Sequence, residues 1–269
     1  GGWSDEDAGF TLAFTDGSKL DVLNAGNASA SHAVSIPGSA GAEGVATTSV
    51  NQAQTGLDFA ATSTVLGVEY HTASDFIADG MKMSFSASTD SGAAATATYR
   101  VDSHYAIGAT YVTDLGDSAV TIGAGWSGSE GSKTGTAVTN DDSGIHFGFS
   151  AVTGDLTVAV GYADGNKGGV NSAAAGVGEV EGDVVKAGVK YVSGDLTFNV
   201  GITSADAKDN AVGSSGGSDD SIDTTSASVS YAVASGVTAI LGYTSMEASN
   251  EGSATDDGSA WYIGANMAF

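Results

Sequence analysis

From residue 81 onward every second side chain is apolar or aromatic, in eleven segments of about ten residues each. Met81, Met83 and Phe85 open the series, Ala95, Ala97, Tyr99 and Val101 continue it, and Tyr105, Ile107, Ala109 and Tyr111 follow. Later rows include Val120, Ile122, Ala124 and Trp126; Leu156, Val158, Val160 and Tyr162; and Leu196, Phe198, Val200 and Ile202. The last row is Trp261, Ile263, Ala265, Met267 and Phe269. A period of two is the signature of strands with one apolar face. The residues between are small, polar or basic: Lys82, Ser84 and Ser86; Thr96, Thr98 and Arg100; His146, Gly148 and Ser150; Lys186, Gly188 and Lys190. The chain is therefore expected to be all-β, with one face apolar and the other hydrated.

Composition removes several alternatives. The 269 residues carry 32 Asp and Glu against 8 Lys and Arg, a formal charge of −24. Such charge with 40 Gly suggests disorder, but 41% of residues are hydrophobic and tightly patterned, so the chain is structured. Nucleic acid is excluded as a partner, because phosphate neutralisation needs clustered Lys and Arg and Arg100 is the single arginine. Without Cys there is neither disulfide nor thiolate metal site. No apolar run approaches the length of a membrane-spanning helix. A basic stretch followed by an apolar one is also missing, so any export signal is expected to have been removed.

Two features separate a membrane barrel from a soluble sandwich. The apolar rows carry no charge, and aromatic residues close many of them: Tyr99, Tyr111, Trp126, Tyr162, Tyr191, Tyr231, Tyr243 and Trp261. Transmembrane barrels place their interfacial aromatic girdles at such positions. Connections also alternate in length. Thr153-Gly154-Asp155, Ser193-Gly194-Asp195 and Ala234-Ser235-Gly236 read as tight hairpin turns, while 127–143, 164–183, 204–223 and 245–258 read as long polar loops. Short turns at one end and long loops at the other are the asymmetry of an outer-membrane barrel.

With this pattern the chain resembles the trimeric general-diffusion porins of the Gram-negative outer membrane, especially the alphaproteobacterial branch. The closing segment Trp261-Tyr262-Ile263-Gly264-Ala265-Asn266-Met267-Ala268-Phe269 is similar to the family's last strand. The hairpins over 155–163 and 184–203, and the segments Phe10–Phe14, Gly17–Val22 and Ala25–Ser29, carry the rest of the likeness. The resemblance implies a single transmembrane antiparallel β-barrel domain over 1–269, 16-stranded in the family, of which about 13 strands are represented here. It divides the chain into early strands over 1–25, a constriction loop folded inward over 26–79, and eleven strands over 80–269. Three further strands at the N-terminal side belong to the family pattern, and a complete barrel of fewer strands is the competing account.

The same resemblance implies function. Water-filled channels of this kind pass small hydrophilic solutes and ions passively, without cofactor or turnover. Lys19, Lys82, Arg100, Lys186 and Lys190 become pore-lining basic residues, and Asp58, Glu69, Asp75 and Asp79 the acidic residues of the constriction loop. Trp261, Ile263, Met267 and Phe269 become the signal read by the barrel-assembly machinery, and the expected setting is a homotrimer in outer-membrane lipid and lipopolysaccharide. The doublets Asp141/Asp142 and Asp219/Asp220 supply candidate oxygens for Ca2+, with a solvated acidic surface as the plain alternative. Catalysis has little to stand on. His32, His71, His104 and His146 show no metal-ligand spacing, and no Gly-x-Ser-x-Gly elbow is present. An acidic surface-layer or adhesive filament protein, rich in Gly and Ser, is the alternative class.

Overall fold

The alternation is realised as one antiparallel sheet of thirteen strands, each paired with its neighbour in the chain. The computed structural model describes residues 9–23, 26–38, 67–89, 100–132, 139–167, 180–209, 218–249 and 256–267. Three short strands come first: β1 (Phe10–Ala13), β2 (Lys19–Val22) and β3 (Gly67–His71). Longer ones follow as β4 (Met81–Thr89), β5 (Arg100–Leu115), β6 (Ser118–Ser132), β7 (Thr139–Thr153) and β8 (Leu156–Lys167). The series ends with β9 (Val180–Ser193), β10 (Leu196–Asp209), β11 (Ser218–Ala234), β12 (Val237–Ser249) and β13 (Asp256–Met267).

The two faces are inverted relative to a water-soluble sandwich. Tyr105, Phe147, Val160, Val189, Val200 and Ile263 stand exposed on the outer face, whereas Ser84, Ser86, Ser88, His104, Ser127 and Ser129 are buried on the inner one. Leaving one large apolar side chain in water forgoes about 1.5–3 kcal/mol. Repeated over a whole face, that penalty makes hydrocarbon the solvent the outer surface fits. On the inner face hydroxyls and imidazoles meet one another and the segment 26–38 described below.

At one end the connections β5–β6, β7–β8, β9–β10 and β11–β12 are two residues long, the last three as the sequence indicates. Gly154 and Gly194 have φ of 56° and 60°, and each is followed by Asp155 or Asp195. Glycine first in a two-residue loop matches the right-handed twist of the flanking strands without steric cost. The other end differs from the sequence reading. Strands run well into the expected loops: β6 continues to Ser132, β8 to Lys167, β10 to Asp209 and β12 to Ser249. Backbone pairing does not stop where the apolar rows stop, because Ser, Thr and Asp sustain a ladder above any apolar band.

Strand bookkeeping is also corrected. Val101 and Tyr105 belong to the single strand β5, so the residues from Met81 to Met267 form ten strands among those described, not eleven. A register shift between Val101 and Ser103, a bulge, lies where the sequence reading separates two rows. The compensating strand is β3, which pairs with both β2 and β4 and lies inside the stretch read as constriction loop.

Candidate functional site

Residues 26–38 leave the sheet after β2 and lie across its inner face. Their contacts progress strand by strand. The Gly26 amide donates to Glu69 Oε2 on β3 at 2.7 Å, and the Ala28 amide to Ser86 Oγ on β4 at 3.0 Å. His32 reaches Thr110 on β5, Nδ1 to Oγ1 2.7 Å, and His146 Nε2 on β7 donates to the Ser29 carbonyl at 2.8 Å. Ser226 on β11 donates to the Gly38 carbonyl. Inside this strap the Asn27 carboxamide accepts from the Ser29 amide at 2.9 Å, which starts the 3-10 turn Ala30–His32.

Close approach requires a wall without side chains, and the wall supplies one. Gly108, Gly123, Gly148, Gly161, Gly188 and Gly201, one on each strand from β5 to β10, lie under the strap. A Cβ on Gly148 would stand 2.6 Å from Val34 Cβ, and one on Gly161 would stand 3.3 Å from Ile36 Cδ1. A Cβ on Gly188 would meet the Pro37 carbonyl oxygen, and one on Gly201 the Gly38 carbonyl oxygen. These glycines form a track that fixes the path of the strap.

At its start the strap meets a cluster of ionisable groups. Asp21 and Glu69 are direct cross-strand partners on β2 and β3, as are Lys19 and His71. Residues two apart share a face, so all four crowd one patch of wall. Asp21 is 7% exposed and Glu69 3%. Lys19 Nζ donates to Asp21 Oδ2 at 3.2 Å, and Thr11 Oγ1 donates to Asp21 Oδ1. His71 Nε2 lies 3.1 Å from Asp21 Oδ2 and 3.6 Å from Glu69 Oε1. Its Nδ1 meets Ser84 Oγ at 2.8 Å, and Ser84 Oγ meets His32 Nε2 at 2.8 Å. Burial, then the neighbouring His71, holds the His32 imidazole below its usual value of 6.5.

Asp21, His71 and Ser84 have the connectivity of a carboxylate–imidazole–hydroxyl triad. Ser84 is 2% exposed, however, and its single hydroxyl is engaged by two imidazoles. A nucleophile needs an open side for substrate; here the hydroxyl links wall to strap.

The residues singled out from sequence are partly gathered. Glu69 is at the strap, but on β3 and buried in the wall instead of on a loop. Lys82 sits opposite Thr110, one inward position from Ser84. Lys186 and Lys190 flank Gly188, where Pro37 crosses. Lys19 pairs with Asp21. Arg100 opens β5 opposite Ser132, and its side chain lies outside what the structure describes. Asp75 and Asp79 lie in the β3–β4 connection, at the short-turn end and away from the strap; Asp75 Oδ1 accepts from the Gly80 amide at 2.6 Å. They cannot act as constriction-loop residues, because β3 returns the chain to the sheet before them. Asp58 and Phe269 fall outside the described residues.

Trp261, Ile263 and Met267 stand on the outer face of β13, 73%, 86% and 56% exposed. The Ca2+ doublets are strand residues, not loop residues. Asp141 and Asp142 are in β7 opposite Glu130 and Ser129, and Asp219 and Asp220 are in β11 opposite Lys208 and Ala207. In the sheet order β7 and β11 are four strands apart.

Asp21, His71, Ser84 and His32 were missed as a group. Their partners lie as far as 52 residues apart in sequence, beyond any linear motif. The legible trace is a pair of alternating doublets, Lys19-x-Asp21 and Glu69-x-His71.

No family model matches the chain, and no curated protein matches it either. Solved structures do. The outer-membrane expressed OmpT of Vibrio cholerae is 14% identical, with 93% of this chain and 76% of that one covered and a TM-score of 0.57. The anion-selective porin from Comamonas acidovorans is 13% identical over 77% of this chain and 60% of its own, TM-score 0.52. A further porin structure is 19% identical over 76% and 61%, TM-score 0.50. The chain thus spans about three fifths of the two porins. At these identities the likeness is one of fold: an antiparallel wall of the outer-membrane β-barrel type.

Proposed function

We propose that this chain builds the wall of an outer-membrane channel through which small hydrophilic solutes and ions diffuse passively. The observation that carries the reading is the strap. A segment laid across the hydrated face of a wall whose other face is apolar is placed to narrow the lumen that such a wall encloses. Buried serines and imidazoles on the inner face keep that lumen wettable. The strap runs from the carboxylates of β2 and β3 to Gly188 on β9, which Lys186 and Lys190 flank, so charges of both signs stand along its path. A narrow passage with low-dielectric walls focuses such charges and selects by size and sign. Transport needs neither cofactor nor catalysis on this reading.

Folded protein in planar bilayers is expected to give step-like, ohmic conductance, and its absence overturns the channel reading. Assembly as a homotrimer in outer-membrane lipid and lipopolysaccharide belongs to the same proposal, as does recognition of the Trp261–Phe269 row by barrel-assembly machinery. A single monodisperse monomer in mild detergent counts against the trimer alone.

A further inference from the structure

We propose that Asp21, Glu69 and His71 form a binding site for a divalent transition metal ion, built into the wall where the strap begins. The inference concerns the wall itself and does not depend on the channel reading.

Three donor atoms converge there: one carboxylate oxygen each from Asp21 and Glu69 and one imidazole nitrogen of His71, all within 4.8 Å of one another. His71 Nε2 is 3.1 Å from Asp21 Oδ2 and 3.6 Å from Glu69 Oε1. In a tetrahedral zinc site with bonds near 2.0–2.1 Å, neighbouring donors lie about 3.3 Å apart, the value these two distances straddle. One imidazole and two carboxylates are a borderline donor set, suited to Zn2+ and not to an all-oxygen Ca2+ cage. The remaining coordination position falls to water.

The rest of each ligand is already held. Thr11 donates to the far oxygen of Asp21, and the Gly26 amide donates to Glu69 Oε2 at 2.7 Å. Ser31 Oγ donates to Glu69 Oε1 at 3.3 Å. His71 Nδ1 is fixed by Ser84 Oγ at 2.8 Å, and Ser84 by His32. One donor sequence satisfies this chain throughout: His71 Nδ1–H to Ser84, Ser84 O–H to His32 Nε2, and His32 Nδ1–H to Thr110. In that tautomer the Nε2 lone pair of His71 points at two carboxylate oxygens. Three lone pairs aimed at one another need a cation between them. A proton on Nε2 serves in the other tautomer; a metal ion serves in this one. Such outer partners orient metal ligands and raise affinity.

Lys19 is the competing cation. Its ammonium contacts Asp21 Oδ2 at 3.2 Å, but its side chain is 46% exposed and free to turn toward solvent. Removing it should strengthen metal binding, the opposite of what removing a ligand does.

The test is Zn2+ titration of the folded full chain in detergent, with excess Mg2+ to occupy the acidic surface. Co2+ in place of Zn2+ adds the visible ligand-field bands of a four-coordinate nitrogen–oxygen site. One saturable Zn2+ per chain is expected. His71→Gln and Asp21→Asn should abolish it, Ser84→Ala should weaken it about 10–100-fold, and Lys19→Gln should tighten it. If His71→Gln fails to fold, the Lys19→Gln titration and the wild-type Co2+ spectrum carry the decision. Zn2+ binding no stronger than the Mg2+ background, or unchanged in folded His71→Gln, overturns the site. Binding without conductance leaves the site standing and sinks the channel; conductance without binding does the reverse.

Discussion

Gly148→Ala tests whether the glycine track holds the strap in place. The new Cβ would stand 2.6 Å from Val34 Cβ and 2.9 Å from Val34 Cγ2. Carbon atoms settle at about 3.5–4.0 Å, so strap and wall must separate by roughly 1 Å at this point. Val34 Cβ is not the free end of a long side chain, so the backbone must move. Overpacking of this kind costs about 1–3 kcal/mol, which raises the undocked fraction about 5- to 150-fold at 1.4 kcal/mol per decade. Hydrogen exchange followed by mass spectrometry on a peptide spanning 26–38 reads that fraction, since exchange of protected amides follows local opening. The Ala28 amide, bound to Ser86 Oγ at 3.0 Å, is a suitable reporter. Gly264→Ala is the control: Gly264 alternates onto the same face, on β13, with nothing within 4 Å of its would-be Cβ. The track requires faster exchange and new current fluctuations in the first variant and neither in the second. Equal exchange in Gly148→Ala and wild type would refute a wall-defined strap path.

Asp183 lies directly opposite Asp164 on β8 and Asp206 on β10. Directly opposed like charges destabilise a sheet by about 0.2–1 kcal/mol per pair, so Asp183→Asn should raise the urea midpoint in detergent, more at low salt than at high. Acidification should loosen the strap. Burial, then the neighbouring His71, holds the His32 imidazole below its ordinary value of 6.5, and the other charged groups it faces are Glu69, His146 and Lys82. Its docking contribution is complete above the ordinary imidazole value and is lost as pH falls from there through the lowered docked value. Exchange of 26–38 should therefore rise on going from pH 7.5 to 5, and an unchanged rate excludes the linkage. With a formal charge of −24 the channel mouth should favour cations, by a margin that fades over a Debye length of about 8 Å at physiological salt. Anion preference in reversal potentials at low salt would show that Lys82, Lys186 and Lys190 set the field instead.

Period-two patterning made the sheet legible because lipid-facing strands obey a local rule: each outward position is chosen by the solvent, whatever lies elsewhere in the chain. Thus Tyr105, Phe147 and Val160 announced both strand and orientation. The rule fails where the solvent ceases to choose. The rows ending at Val101 and opening at Tyr105 read as two strands because polar residues part them, yet pairing passes between them as a bulge between Val101 and Ser103. Asp141 and Asp219 looked like loop residues because no apolar partner accompanies them, yet their backbones remain in β7 and β11. Composition reports what surrounds a side chain, whereas the ladder is made by backbone groups that every non-proline residue carries.

The inner face obeys a different logic. Gly148 and Gly188 read in sequence as the small residues of a hydrated face, and nothing local distinguishes a glycine that faces water from one that faces another backbone. The distinction exists only once 26–38 crosses the wall, because it is set by Val34 and Pro37, more than 110 residues earlier in the chain. Glu69 and His71 show the same dependence. On their own strand they are two polar residues with Tyr70 between them; opposite Asp21 and Lys19 they become a buried ionic patch. What a barrel wall shows the membrane is written residue by residue, but what it does inside is written in pairs whose members meet only across strands. The Lys19-x-Asp21 and Glu69-x-His71 doublets become informative as soon as the register Asp21–Glu69 is known, and a one-residue slip of either strand would turn its doublet outward and part the patch.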